Sequence, residues 1–148
     1  MRYAHTQIGY LTISVGLGAA IFVAVTRLVY ASDRTGFLIS AIIEVVLLLC
    51  AIVFSKMTIK IDGETLMACF VLDLICKKVP LAKIAGCEPI RIRWWHGWGI
   101  HLTPYGWLYN VSGLNAVTIT LRDGRKFALG TDDPNGLVEA IQRFSSVE

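Results

Sequence analysis

Charge is scarce in this chain. Its 14 Lys and Arg and 11 Asp and Glu make up 17% of 148 residues, while 55% are hydrophobic. A mean hydropathy of +0.59 excludes an ordinary soluble domain. Cysteine is sparse too. Cys50, Cys69, Cys76 and Cys87 form no CxxC and no spacing that suits a staple or a zinc site, so they read as reduced, packed thiols. His96 and His101 have no matching Cys or carboxylate set, which argues against a metal. No Ser/His/Asp order stands out, and no phosphate-cradling glycine loop opens a helix. The chain therefore reads as non-enzymatic, without catalytic residues or cofactor. After Met57, ten basic residues face nine acidic ones, a balance that lacks the footprint of nucleic-acid binding.

What is present is apolar sequence, concentrated in two runs: IGYLTISVGLGAAIFVAVTRLVY and GFLISAIIEVVLLLCAIVF. At helical rise each reaches roughly 28–35 Å, enough to cross a bilayer core. Arg2 and the small residues Gly18 to Ala20 faintly resemble a secretory signal. However, the run continues past Ala20, and a second span follows after only Ala31–Thr35. Residues 1–56 are expected to form a transmembrane helical hairpin, with spans at about 8–30 and 36–55. Arg2, Lys56 and Lys60 beside the ends outweigh Arg34 in the link, which predicts cytoplasmic termini for a multi-pass protein of the inner membrane.

Inside the spans, Glu44 stands near the middle of the second, where a lone carboxylate is costly. Arg27 is the other ionisable residue there. It lies roughly 7–8 Å nearer the link by helical rise, so it is expected to snorkel outward, while Glu44 bonds to a Ser or Thr of the neighbouring helix or, as the alternative, meets another copy or a partner membrane protein. Thr12, Gly16 and Ala20 recur every fourth residue, a small-residue face for helix packing.

From Met57 the period changes to two. Asp62-Gly63 and Asp123-Gly124 sit between alternating runs and predict tight hairpins. GIHLTP and WLYNV pair around Pro104 to Gly106, with Trp107, Tyr109 and Val111 on one face, so Trp107 is expected in the core. In TDDPNGLVEAIQRF, Asp132 or Asp133 caps a helix that opens on Pro134. About seven antiparallel strands and a closing helix, over residues 57–148, is the element order of a pleckstrin-homology (PH) barrel. The run GWGIHLTPYGWLYNVSGLNAVTITLRDGRKFALGTDDP resembles the C-terminal signature of small bacterial membrane proteins with two spans and a PH-like domain. The resemblance implies a PH-like barrel on the cytoplasmic face of a bacterial membrane, and no known activity.

The remaining tryptophans, Trp94, Trp95 and Trp98, follow Arg91 and Arg93 beside glycines. Indoles with guanidinium groups suit the headgroup layer. Strand alternation offers the alternative that one of Trp94 and Trp95 packs inward. The expected partners are membrane lipids, a membrane protein or further copies of the chain. The expected function is a membrane-anchored binding or scaffolding module, and the alternative is a small accessory subunit of a transporter that uses Glu44.

Overall fold

A computed structural model describes residues 3–29 and 33–145. Arg2 and the link residues Ala31 and Ser32, which enter the orientation argument, lie outside the described residues. Two helices, α1 (Tyr10–Val29) and α2 (Arg34–Val53), are each long and apolar enough to cross a membrane. Asp33 caps α2, accepting hydrogen bonds from the N–H groups of Thr35 (3.1 Å) and Gly36 (2.9 Å). Gly16 is the buried residue of α1, pressed against Ala51, and no residue of α2 is fully buried. The outward faces of both helices are thus left apolar and exposed.

Arg27 does not snorkel. Its guanidinium forms an ion pair with Glu44, donates through Nε to Ser40 Oγ at 3.1 Å, and lies 5.3 Å from the centroid of the Phe37 ring. The expected carboxyl bond to a Ser or Thr is replaced by this pair. An unpaired carboxylate in an apolar setting costs more than stretching a long side chain across the difference in depth.

The chain does not begin with a helix. A strand, β1 (Ala4–Ile8), comes first and pairs antiparallel with β2 (Lys56–Asp62), which follows the second helix. Sequence periodicity misses β1, because its five residues AHTQI carry only one large apolar side chain. A four-stranded sheet, in the order β1-β2-β3-β4, is completed by β3 (Thr65–Phe70) and β4 (Cys76–Pro80). Gly63, at φ 58, makes the predicted Asp62-Gly63 turn. The second sheet has five strands: β5 (Ile84–Arg91), β6 (Gly99–Thr103), β7 (Gly106–Asn110), β8 (Asn115–Leu121) and β9 (Lys126–Gly130), in the order β5-β8-β9-β7-β6.

The body thus has nine described strands where about seven were expected, and β7 runs parallel to β9. The expected barrel does not close. Pro80 has no N–H to extend the ladder, and the short 3-10 turn Leu81–Lys83 carries the chain from one sheet to the other. Between the sheets lies one core, with Met57, Ile59, Phe70, Val117, Ile119 and Leu129 among its buried side chains. Helix α3 (Pro134–Ser145) packs on this core through Leu137, Ala140 and Ile141. Of the two capping candidates it is Asp133 that serves, accepting the Gly136 N–H at 3.0 Å.

Cys69 and Cys76 are joined by a disulfide, not held as reduced thiols. Spacing in sequence did not suggest a staple, but register does. The two face each other across β3 and β4 with Cα atoms 4.2 Å apart. The hydrogen bond from Phe70 N to Ile75 O at 2.9 Å makes theirs the non-hydrogen-bonded, closer kind of antiparallel pair.

Candidate membrane-contact surface

Strand β5 ends at Arg91, and the chain then leaves the sheet edge. Ile92 anchors the departure: it is 2% exposed, donates its N–H to Leu114 O at 2.7 Å, and packs with Leu108, Ala116 and Ala128 on the outer face of the sheet. Past this anchor the chain coils into a single 3-10 turn, Trp94–His96, closed by His96 N to Arg93 O at 3.0 Å and Gly97 N to Trp94 O at 3.2 Å. Gly97, at φ 69, takes the left-handed backbone that lets the chain re-enter the sheet at β6.

Because Trp94 and Trp95 lie on a turn, strand alternation does not place them on opposite faces. Both point to solvent, at 70% and 57% exposure. Their rings meet edge to face at 5.9 Å, and the Arg93 guanidinium lies 4.9 Å from the Trp95 ring centroid. Arg91, also exposed, stands at the foot of the turn opposite Asn115. One short segment therefore presents two indoles and two guanidinium groups side by side.

Trp98 connects this segment to the helices. With Gly99 and Ile100 it forms one wall of an apolar cleft of about 350 Å³, whose other wall is Thr12, Val15 and Gly16 of α1 and Leu47, Cys50, Ala51 and Phe54 at the end of α2. Trp98 accordingly lies at the foot of the hairpin, whereas His96 of the turn reaches the other way and meets Tyr105, near the tip of β6 and β7, with ring centroids 6.5 Å apart. Of the small-residue face, Gly16 packs on Ala51, whereas the Thr12 hydroxyl donates to Val111 O at 3.1 Å and ties α1 to the body. Ala20 is half-buried further along α1.

Trp107 is not a core residue; it is 51% exposed. Its strand face does begin in the core, with Val111 buried and Tyr109 packed against it. The hairpin of β6 and β7 overhangs that core, however, and near its tip the same face emerges as Trp107 and its cross-strand partner Leu102, itself 70% exposed. The tip lies roughly 14 Å from the Gly99 end at strand rise, on the side away from the helices.

Burial raises the pKa of the Tyr3 phenol, just before β1, and the neighbouring Asp133 carboxylate, which accepts its hydrogen bond at 3.4 Å, raises it further. Burial likewise raises the Cys87 thiol, with a smaller contribution from Glu88. Among the described residues, Cys69, Asp73 and Cys76 are the one group that brings three potential metal donors within 4.8 Å of one another, and the two sulfurs are bonded to each other.

Sequence reasoning missed the turn between β3 and β4. Val71–Asp73 is a short 3-10 turn touching α2, followed by Leu74 and Ile75 at 66% and 39% exposure. Within VLDLICKKV no Gly or Pro marks a break, so the run reads as strand. No protein-family model matches this chain, and none of the curated proteins is similar to it.

Proposed function

We propose that this chain is a membrane-anchored, non-enzymatic binding module of PH-like type. In this reading it sits in a bacterial inner membrane and grips the headgroup layer with Arg91, Arg93, Trp94, Trp95 and Trp98. The observation that carries the reading is the position of Trp98, which shares a cleft with the body-proximal ends of both apolar helices. In this reading the indoles and guanidinium groups that adjoin Trp98 meet the boundary layer, where ring and charge are both satisfied. The Arg27 and Glu44 pair supports a structural role for Glu44 in the hairpin, in place of the accessory-subunit role.

The test uses the full chain in lipid nanodiscs, with variants that keep one tryptophan each and lipids brominated along the acyl chain. Emission from Trp94, Trp95 and Trp98 is quenched, and emission from Trp107, at the far tip, is not. Unquenched Trp94 and Trp95 would overturn the reading.

One observation favours a second reading, of orientation only. Disulfides persist in oxidising compartments, so the Cys69–Cys76 bridge speaks for a body outside the cytoplasm, against the modest basic bias at the ends. An impermeant thiol reagent on intact cells separates the two, in a background with Cys50 and Cys87 replaced by Ala. Labelling of Ser32→Cys alone means cytoplasmic termini, and labelling of Ser146→Cys alone means the reverse.

A further inference from the structure

We infer that the Val71–Ile75 turn is a second membrane-contact element, whose partner is the headgroup and upper acyl layer of the bilayer. The inference rests on reading the two helices as spans, and otherwise stands on its own residues.

Four observations carry it. The turn sits at the foot of the hairpin: it touches α2, and Phe70 immediately before it meets Phe54, the residue that ends α2, edge to face at 5.2 Å. Two of its apolar side chains, Leu74 and Ile75, then point away from the protein. Val71 is 7% exposed and anchors the turn, whereas Leu74 and Ile75 stand at 66% and 39%. Two adjacent large apolar residues left exposed on a turn that touches a helix apolar and long enough to span are best satisfied by lipid.

The turn is also held in shape. Asp73, at φ 54, takes a left-handed conformation that reverses the chain, Phe70 N bonds to Ile75 O at 2.9 Å, and the disulfide joins the two strands directly beneath. A preorganised turn loses little conformational freedom on meeting a surface. Finally, basic residues flank it. Lys56, at the exit of α2, and Lys78, on β4, are exposed and suit anionic lipid phosphates. Lys77 is different, since its ammonium lies 5.4 Å from the centroid of the Phe127 ring. Each sheet of the body thus offers one apolar turn to the membrane, the four-stranded sheet through Leu74 and Ile75, the five-stranded sheet through Trp94 and Trp95.

The experiment places the isotopically labelled full chain in nanodiscs of phosphatidylethanolamine and phosphatidylglycerol containing a lipid with a nitroxide at the top of its acyl chain. Paramagnetic broadening is read at each backbone amide. The amides of Leu74 and Ile75 are expected to broaden several-fold more than those of Gly63 and Gly124 in the turns at the opposite end of the body. If they broaden no more than those references, the inference fails, and the exposed pair is left as a docking surface for protein. The amides of Trp94 and Trp95 report separately in the same spectra. Broadening at Leu74 and Ile75 without broadening at the tryptophans would sustain the inference and overturn the tryptophan surface, and the converse would do the opposite.

Discussion

Gly16 of α1 lies so close to Ala51 of α2 that a Cβ placed on the glycine would collide with the alanine methyl. Close backbone approach is what associates helices in lipid, where no hydrophobic gain is available. Gly16→Ala is expected to cost about 1–3 kcal/mol by overpacking. A Cβ on Gly18 meets nothing within 4 Å, so Gly18→Ala should be neutral or slightly stabilising. Unfolding of the two variants in mixed micelles against added dodecyl sulfate checks the contrast.

Removing one partner of the ion pair between Arg27 and Glu44 leaves the other uncompensated. Glu44→Gln is expected to destabilise the hairpin by about 3–5 kcal/mol, and the double replacement Arg27→Leu with Glu44→Leu to recover most of that. The same micelle titration reads both. Equal stability of Glu44→Gln and the parent would mean that the pair contributes nothing.

Trp107 and Leu108 are neighbours with opposite fates, at 51% and 0% exposure. Leu108→Ala should cost about 2–5 kcal/mol, whereas Trp107→Ala, half in solvent, should cost roughly 1–2 kcal/mol despite the larger truncation. Thermal unfolding followed by near-ultraviolet circular dichroism gives the order. A reversed order would place Trp107 in a packed environment.

Tyr3 sets an alkaline limit. Its folded pKa is raised above the ordinary value of 10.0, chiefly by burial and then by Asp133. The unfolded chain therefore releases this proton first. Stability is fully present below pH 10.0, the ordinary tyrosine value, and declines as pH rises above it. Tyr3→Phe removes the titration and should flatten stability over that alkaline range. A slope unchanged by the substitution would assign the decline to other groups.

Much of the architecture is legible because periodicity is a direct print of burial. The two spans, the Asp62-Gly63 and Asp123-Gly124 turns, the β6 and β7 pair and α3 all follow from it, with α1 and α2 within a few residues of the expected limits. What escapes depends on partners distant in sequence. β1 is too short and polar to announce itself and exists because β2 offers an edge fifty residues later. The disulfide needs the β3 and β4 register, and the exposure of Trp107 follows from how far a hairpin overhangs its core. At the candidate surface, the residues Arg91 to Trp98 are legible as a cluster, since indoles beside arginines are conspicuous. Leu74 and Ile75 are not, because an exposed apolar pair spells the same as a buried one.

The strand before the first helix has a mechanical consequence. Only Gly9 separates β1 from α1, and only Phe54 and Ser55 separate α2 from β2, with Gly9 N bonded to Ser55 O at 2.6 Å. The helical pair is therefore the connection of a β-hairpin, grown long enough to cross a bilayer, and no slack tether lies between sheet and helices. Assembly of the first two strands must wait until both helices have been delivered. Once it is complete, any tilt of the helices turns the sheet with them. A body held in this way does not swing out on its own; if the helices span a bilayer, it meets that bilayer at a fixed attitude, and a change in the bilayer's thickness reaches the sheet as a rotation.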